Sequence, residues 1–326
     1  MAEKFRWGII STGKIAHALA DAIQKTTEGE VVAVGSRSQA TADAFAAKFN
    51  IPRAYDSYEA LCADPEVDIV YVATPHSHHY DNVLMALNEN KHVLNEKAFT
   101  INARQAEACI DMARDRGLFL MEAMWMRYNP HFVQARQWVD AGLIGEIQQV
   151  FADLSVQFEF DPTNRFFNPE LGGGALLDLG IYPISFAHYW LGVPDDVYSI
   201  AFLGDTGVDE HVAAMFAYEN GKTAQLSFSM RVRGTREGTL VGDQGIIRFA
   251  DPIHASRKVT LIRPNEEDQV VTFPEENFYR YEVEEVHRCL KAGLTESPKM
   301  PLDDSLALMR IMDAMREEWG VEYPME

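Results

Sequence analysis

The chain has 326 residues, 47% of them hydrophobic and 24% charged, with a formal net charge of −20. That balance suits a globular protein of about two domains at ~150 residues each, and a surface this acidic repels phosphate backbones, which argues against a nucleic-acid partner. No apolar run approaches the ~20 residues that span a bilayer, and MAEKFRWGII runs straight into a strand-like segment, so neither a membrane partner nor a signal peptide is expected.

In chain order, RWGIIS (6–11), EVVAVGS (30–36), DIVYVAT (68–74), HVLNE (92–96) and LFLMEA (118–123) are short apolar runs rich in Val, Ile and Leu. Runs apolar at every position suit strands buried on both faces, as in a parallel sheet. Helices are expected between them: from Ile15 to Ile23, over 38–49 with Ser38 as N-cap, over 81–90, and over 102–117 with Asn102 as N-cap and Gly117 as stop. Strand and helix in alternation predict a doubly wound α/β domain over 1–122. From 123 to 326 the pattern changes to strands of period two at 147–160, 197–203, 211–219, 223–232, 239–249, 258–263 and 268–273. Asn220-Gly221 marks a hairpin turn, and helices are expected at 175–190, 280–292 and 303–318. This predicts an α+β domain on a mostly antiparallel sheet. Cys62, Cys109 and Cys289 form no CxxC, so a reducing cytoplasm is expected, with no disulfide or zinc framework.

GIISTGKIA (8–16) reads two ways. As GxxxxGK it resembles a P-loop, but Ile15 stands where magnesium needs Ser or Thr, and Gly8 falls inside the strand. As a Rossmann turn, Ser11, Gly13 and Ala16 occupy G-x-G-x-x-G/A, and Ser11 departs from the first glycine. Ser11, Thr12, Gly13, Lys14 and Ile15 then form a phosphate turn at a helix N-terminus, whose unpaired N–H groups face the anion. At the second strand's end, where NAD binders place an acid, stand Ser36, Arg37 and Ser38. A guanidinium flanked by hydroxyls suits a 2′-phosphate, so NADP(H) is expected in preference to NAD(H). The alternative is that Ser38 caps the next helix and Arg37 is solvated.

TPHSHHYDN (74–82) follows a buried strand, at the end where open α/β sheets bind ligands. Thr74, Pro75, His76 and His79 are candidates to line the nicotinamide half of the cofactor. Local hydrogen bonding is the alternative, and no metal is expected from histidines spaced this way in a loop.

Glu96 and Lys97 end another buried strand, and a lysine there is suited to proton transfer or to tuning a neighbour. In GGGALLDLGIYPISFAHYW (172–190), Asp178 and Tyr182 fall at i, i+4 on one helical face among apolar residues, a pairing suited to acid–base work. A nearby lysine cation would lower the phenol's pKa. A rim lysine paired with Glu96, and a buried Tyr bonded to a capping Asp, are the structural alternatives.

WGIISTGKIA, ATPHSHH, EKAFT, GLFLMEAMWMRYNP, GGALLDLGIYP, TGVDE and YEVEEVHRCLKAG together resemble the glucose–fructose oxidoreductase/inositol dehydrogenase/rhizopine-catabolism (Gfo/Idh/MocA) oxidoreductase family, in particular its dihydrodiol and D-xylose dehydrogenase branch. The resemblance implies a Rossmann domain, an open sheet domain whose outer face forms a homodimer or higher homo-oligomer, and hydride transfer to or from a nicotinamide. It maps the Glu-Lys-Pro motif to Glu96, Lys97 and Ala98, the last departing from Pro. It makes Lys97, Asp178 and Tyr182 the catalytic candidates, with Tyr182 in place of the common His. It also implies that Trp125 and Arg127 line the substrate pocket. Phe158, Phe160 and Tyr279 are further substrate candidates, with ordinary aromatic packing as the alternative. The expected function is an NADP-dependent oxidoreductase acting on a hydroxyl or carbonyl of a sugar or cyclic trans-diol. The alternatives are a reductase of a ketose, anhydro-sugar or other carbonyl compound, and a non-catalytic NADP-binding sensor.

Overall fold

The computed structural model describes residues 4–274 and 276–326. By its contacts the chain divides into two units, one holding residues up to Trp125 together with Asn277–Leu306, the other Met126–Glu276 with Ala307–Glu326.

The first unit begins β1 (Phe5–Ile10), α1 (Lys14–Lys25), β2 (Gly29–Gly35), α2 (Gln39–Phe49), β3 (Arg53–Tyr55), α3 (Tyr58–Cys62), β4 (Ile69–Val72), α4 (His79–Asn88), β5 (His92–Asn95), α5 (Ala103–Arg116) and β6 (Leu120–Glu122). Its six strands are all parallel, in the order β3-β2-β1-β4-β5-β6. β4 is buried at every position, which is why its sequence shows no alternation. The five expected strands are present. β3 and α3 are additional, being too short to carry a periodic signal. α3 starts at Ser57, whose hydroxyl accepts from the Ala60 N–H at 3.2 Å. Leu61 of α3 also explains Gly8, where a Cβ would sit 2.9 Å from its Cδ2. Asn102 caps α5 by accepting from the Gln105 N–H at 2.9 Å, and Gly117 ends it at φ 64°. Ser38 holds the N-cap position of α2 without a side-chain cap bond; its carbonyl instead accepts from the Thr41 hydroxyl at 2.9 Å.

The second unit follows with α6 (Pro130–Asp140), β7 (Ile147–Ser155), α7 (Ile181–Leu191), β8 (Asp196–Leu203), β9 (Asp209–Ala217), β10 (Thr223–Ser229), β11 (Gly238–Gly242), β12 (Ile246–Phe249), β13 (Lys258–Ile262) and β14 (Gln269–Thr272). The sheet order is β14-β13-β12-β11-β7-β10-β9-β8; β7 and β10 pair in parallel and the other pairs are antiparallel. β9 shows the period-two signal plainly: Val212, Ala214 and Phe216 are buried, while His211, Ala213 and Met215 are exposed. At the expected hairpin, Tyr218 N–H donates to the Lys222 carbonyl at 3.1 Å and Gly221 takes φ 80°. Three expectations need correction. The segment 239–249 is two strands, because Gly242 N–H turns back to the Gly245 carbonyl at 2.8 Å. The strand from 147 ends at Ser155. Pro130–Asp140 is a helix that the sequence reading did not anticipate; Pro130 opens it, and it buries Phe132, Ala135 and Trp138 on one side.

Phe132, Phe186 and Phe249 are fully buried and meet edge-on or tilted at 5.1–5.7 Å between ring centroids. Each such side chain contributes roughly 2–3 kcal/mol of burial.

α8 (Arg280–Lys291) returns the chain to the first unit, and α9 (Leu302–Trp319) follows it. The linear division expected from the sequence, 1–122 and 123–326, therefore differs from the contact division in placing Asn277–Leu306 with the second unit. The return is made by specific bonds. The Asn277 amide donates to the Ala18 carbonyl and the Asp21 carboxylate, each at 2.8 Å, and Leu120 N–H donates to the Thr295 carbonyl at 3.0 Å. Among the described residues no helix is long and apolar enough to cross a membrane.

Candidate active site

In the first unit, the carboxyl ends of β1, β2, β4 and β5 bring four sequence motifs to one edge of the sheet. After β1, Ser11 takes φ 88°, the left-handed conformation that a glycine usually supplies at the first position of this turn. The serine thus departs from the motif in residue type but not in backbone shape. Gly13 is exposed, and a Cβ there would meet only the Ser11 hydroxyl, at 3.7 Å. α1 then starts with no side-chain cap and no acidic residue in its first turn, so its N–H groups are open to an anion. Thr12 and Ile15 are half-buried and Lys14 is exposed.

After β2, the hydroxyl of Ser36 is engaged with that of Thr41 at 2.6 Å, while Arg37 and Ser38 are exposed. No salt bridge holds Arg37 among the described residues. This set fits a dinucleotide: a bare glycine and open N–H groups for the phosphates, and a guanidinium where an acid would oppose a 2′-phosphate.

After β4, the histidine loop is structural in one member. His79 is fully buried, with Nδ1 at 2.8 Å from the Ala98 carbonyl and Nε2 at 2.9 Å from the Thr74 carbonyl. Its ring lies between the β4 and β5 loops, and both ring nitrogens are turned to backbone carbonyls. Burial lowers its pKa to about 4, so the ring is neutral and donates to one of the two carbonyls. His76 is buried and meets the His79 ring edge-on at 5.5 Å; Pro75 is half-buried and His78 is exposed.

After β5, Glu96 is buried and accepts from the Tyr71 hydroxyl and from Lys97 N–H at 3.2 Å. Lys97 is half-buried at the rim, and its peptide bond to Ala98 is cis. Asn95 spans this turn by donating to the Phe99 carbonyl at 2.6 Å. Glu282 of α8 is fully buried, and burial followed by the charge of Glu96 pushes its carboxyl pKa well above the usual carboxylate range. Trp125 packs on Tyr279 with ring centroids 4.5 Å apart, so these two substrate candidates lie together.

In the second unit, Asp178 lies in a π-helical turn, Leu176–Gly180, that runs directly into α7, where Tyr182 is the second residue. Such turns concentrate at functional sites. Asp178 is buried and accepts from Arg165 Nη1 at 2.9 Å. Arg165 in turn lies over the Phe166 ring at 4.1 Å. Tyr182 is 6% exposed, and its ring lies 4.7 Å from that of His254. Arg165 and His254 were missed by sequence reasoning, since each lies in an irregular segment with no motif of its own.

The remaining substrate candidates have packing partners. Phe158 stacks on Phe166 at 4.0 Å and 10°, and Phe160 meets Phe167 edge-on at 5.1 Å. Arg127 is 3% exposed; its Nε donates to the Ser185 hydroxyl at 3.4 Å and its Nη2 lies 3.4 Å from His188 Nδ1, so it is turned toward α7.

Residues 5–124 match the model of an oxidoreductase family with an NAD-binding Rossmann fold, and residues 132–248 match that of the GFO/IDH/MocA C-terminal domain. The chain is 37% identical to a trans-1,2-dihydrobenzene-1,2-diol dehydrogenase of Danio rerio over 98% of both chains. It is 34% identical to a D-xylose 1-dehydrogenase (NADP(+)) of Hypocrea jecorina over 98% of this chain and 93% of that one. Among solved structures it resembles a 3-ketoreductase from Actinomadura kijaniata in complex with NADP and TDP-benzene, with a TM-score of 0.86, 28% identity, and 97% and 98% of the two chains covered. The chain belongs to the Gfo/Idh/MocA oxidoreductase family.

Proposed function

We propose that the protein is an NADP-dependent dehydrogenase acting on a hydroxyl of a sugar or cyclic trans-diol, or on the matching carbonyl in the reverse direction. The observation that carries this reading is the exposed Arg37 at the end of β2, where an NAD-specific site would hold an acid. The names of the relatives, a diol dehydrogenase and an NADP(+)-linked xylose dehydrogenase, support the substrate class and the cofactor.

The bound nicotinamide supplies the hydride acceptor or donor. Tyr182 takes the hydroxyl proton in oxidation and returns it in reduction. Lys97, at the carboxyl end of β5, is the second catalytic candidate, and Asp178, held by Arg165, accepts a hydrogen bond from a second substrate hydroxyl. Trp125 and Tyr279 offer an apolar wall to the ring of a sugar or diol. The test is Tyr182→Phe. It should lower kcat by about 10²–10⁴-fold and leave NADPH affinity unchanged; near-full turnover would refute the assignment.

The open face of the eight-stranded sheet carries Tyr198, Ile200 and Phe202 on β8 and Met215 on β9, all 44–72% exposed. These aromatic and aliphatic groups support a homodimer formed through this face. Light scattering that gives a monomer at micromolar concentration would reject it. Cys62, Cys109 and Cys289 are buried, with burial raising each thiol's pKa, which suits a cytoplasmic protein.

A further inference from the structure

The π-helical turn that carries Asp178 begins without a local cap. Its N-cap position is Ala175, which has no side-chain acceptor, and three glycines precede it. A helix start leaves backbone N–H groups unsatisfied, and in a buried segment such groups need partners. Here the partner comes from another element. Asp209, the first residue of β9 and fully buried, accepts from Leu176 N–H through Oδ2 at 2.7 Å, across 33 positions of sequence.

The glycines before the helix make room for this contact. Gly174 takes φ 119°, and a Cβ there would lie 2.4 Å from Asp209 Oδ1. At Gly173 a Cβ would lie 2.9 Å from backbone atoms of Asn168 and Phe166, and the Gly173 carbonyl accepts from the Tyr323 hydroxyl at 2.6 Å. A buried carboxylate is costly to hold, and burial raises the Asp209 pKa to about 7, with the N–H groups of Leu176 and Ala175 among the groups that pull it back down. Nothing in the proton transfer or in cofactor binding uses this acid.

We propose that Asp209 is a positioning residue: its carboxylate caps the turn Leu176–Gly180 from β9 and so fixes where Asp178 and Tyr182 are presented. The inference rests on the proposed roles of those two residues. A side chain displaced by about 1 Å costs on the order of a hundredfold in rate, so loosening this helix start acts on kcat more than on cofactor affinity.

The test compares Asp209→Ala and Asp209→Asn with the unsubstituted protein, using NADP⁺ with D-xylose or trans-1,2-dihydrobenzene-1,2-diol, NADPH affinity, and deuterium exchange of the amides over 175–182. In D209A, kcat should fall roughly tenfold to a hundredfold, NADPH affinity should hold within about twofold, and exchange over 175–182 should accelerate. D209N keeps an acceptor oxygen and should recover most of both losses. Full kcat in D209A, or an Asn variant as impaired as the Ala variant, overturns the proposal. Should D209A fail to fold, D209S replaces it, with a partial loss of kcat and faster exchange expected and full kcat contradicting the cap. Tyr182→Phe, run in parallel, separates the two ideas. If it keeps its turnover, the proton-transfer reading fails, and the exchange data still decide whether Asp209 caps the turn.

Discussion

Trp7 donates its indole N–H to Nε2 of His287, 280 positions along the chain, at 3.0 Å. The contact joins β1 to α8 inside the nucleotide-binding unit, and the His287 ring also stacks on Phe5 at 4.9 Å. Only a neutral imidazole can accept the indole proton, and burial lowers the His287 pKa from 6.5 to about 4. A depressed histidine pKa stabilises the fold above pH ~6.5 and loses that contribution as pH falls toward ~4, by on the order of 3 kcal/mol in all. Thermal unfolding should therefore show falling stability through that window. His287→Gln, which does not titrate, should flatten this part of the curve while lowering Tm at neutral pH. An unchanged acid slope in the variant would assign the effect to other groups.

Arg37 sets the cofactor preference in the proposed reading. Charge-assisted bonds to a phosphate contribute about 1.5–3 kcal/mol, so Arg37→Ala should raise KM for NADP⁺ by ~10- to 100-fold and leave KM for NAD⁺ nearly unchanged. Steady-state kinetics with both cofactors measures this. Equal losses with both would show that Arg37 does not read the 2′-phosphate.

Lys97→Met should lower kcat by about 10²-fold or more while NADPH still binds, since methionine keeps the length of the chain and removes the charge. Fluorescence titration with NADPH together with single-turnover kinetics separates the two effects. Loss of NADPH binding with normal chemistry at saturation would move Lys97 from catalysis to cofactor binding.

Gly180 lies in the turn between Asp178 and Tyr182, and a Cβ there would come within 2.7–2.9 Å of the fully buried Phe228 ring. Gly→Ala in a helix gains up to ~1 kcal/mol, but forcing a methyl against an immobile core ring costs ~1–3 kcal/mol. Overlap should win. Gly180→Ala is expected to lower Tm by several degrees (~1–2 kcal/mol net). A rise in Tm would show that Phe228 can give way.

The nucleotide-binding half was the more legible part of the sequence. Its strands are continuous apolar runs, and Asn102 and Gly117 bound α5 by local chemistry that acts within four residues. The return of Asn277–Leu306 to that unit was not legible, because the Trp7–His287 and Asn277–Ala18 bonds join distant residues of ordinary type. The helix Pro130–Asp140 was hidden because its buried side is narrow and interrupted by polar residues. Among the catalytic candidates, Lys97, Asp178 and Tyr182 stood out as reactive types in apolar surroundings. Arg165 and Asp209 reach the same turn from a loop and from a strand, so no local spacing could announce them. Ser11 shows the opposite case: the motif is broken in letters and kept in backbone conformation at φ 88°.

The most direct measurement is nicotinamide absorbance during incubation of the purified protein with NADP⁺, and separately NAD⁺, across aldopyranoses, inositols and trans-dihydrodiols. Turnover on a sugar or diol, faster with NADP⁺, is the expected result. NADPH binding with no turnover in either direction on any member of the panel would contradict it, and would leave a cofactor-binding protein that performs no hydride transfer on these substrates.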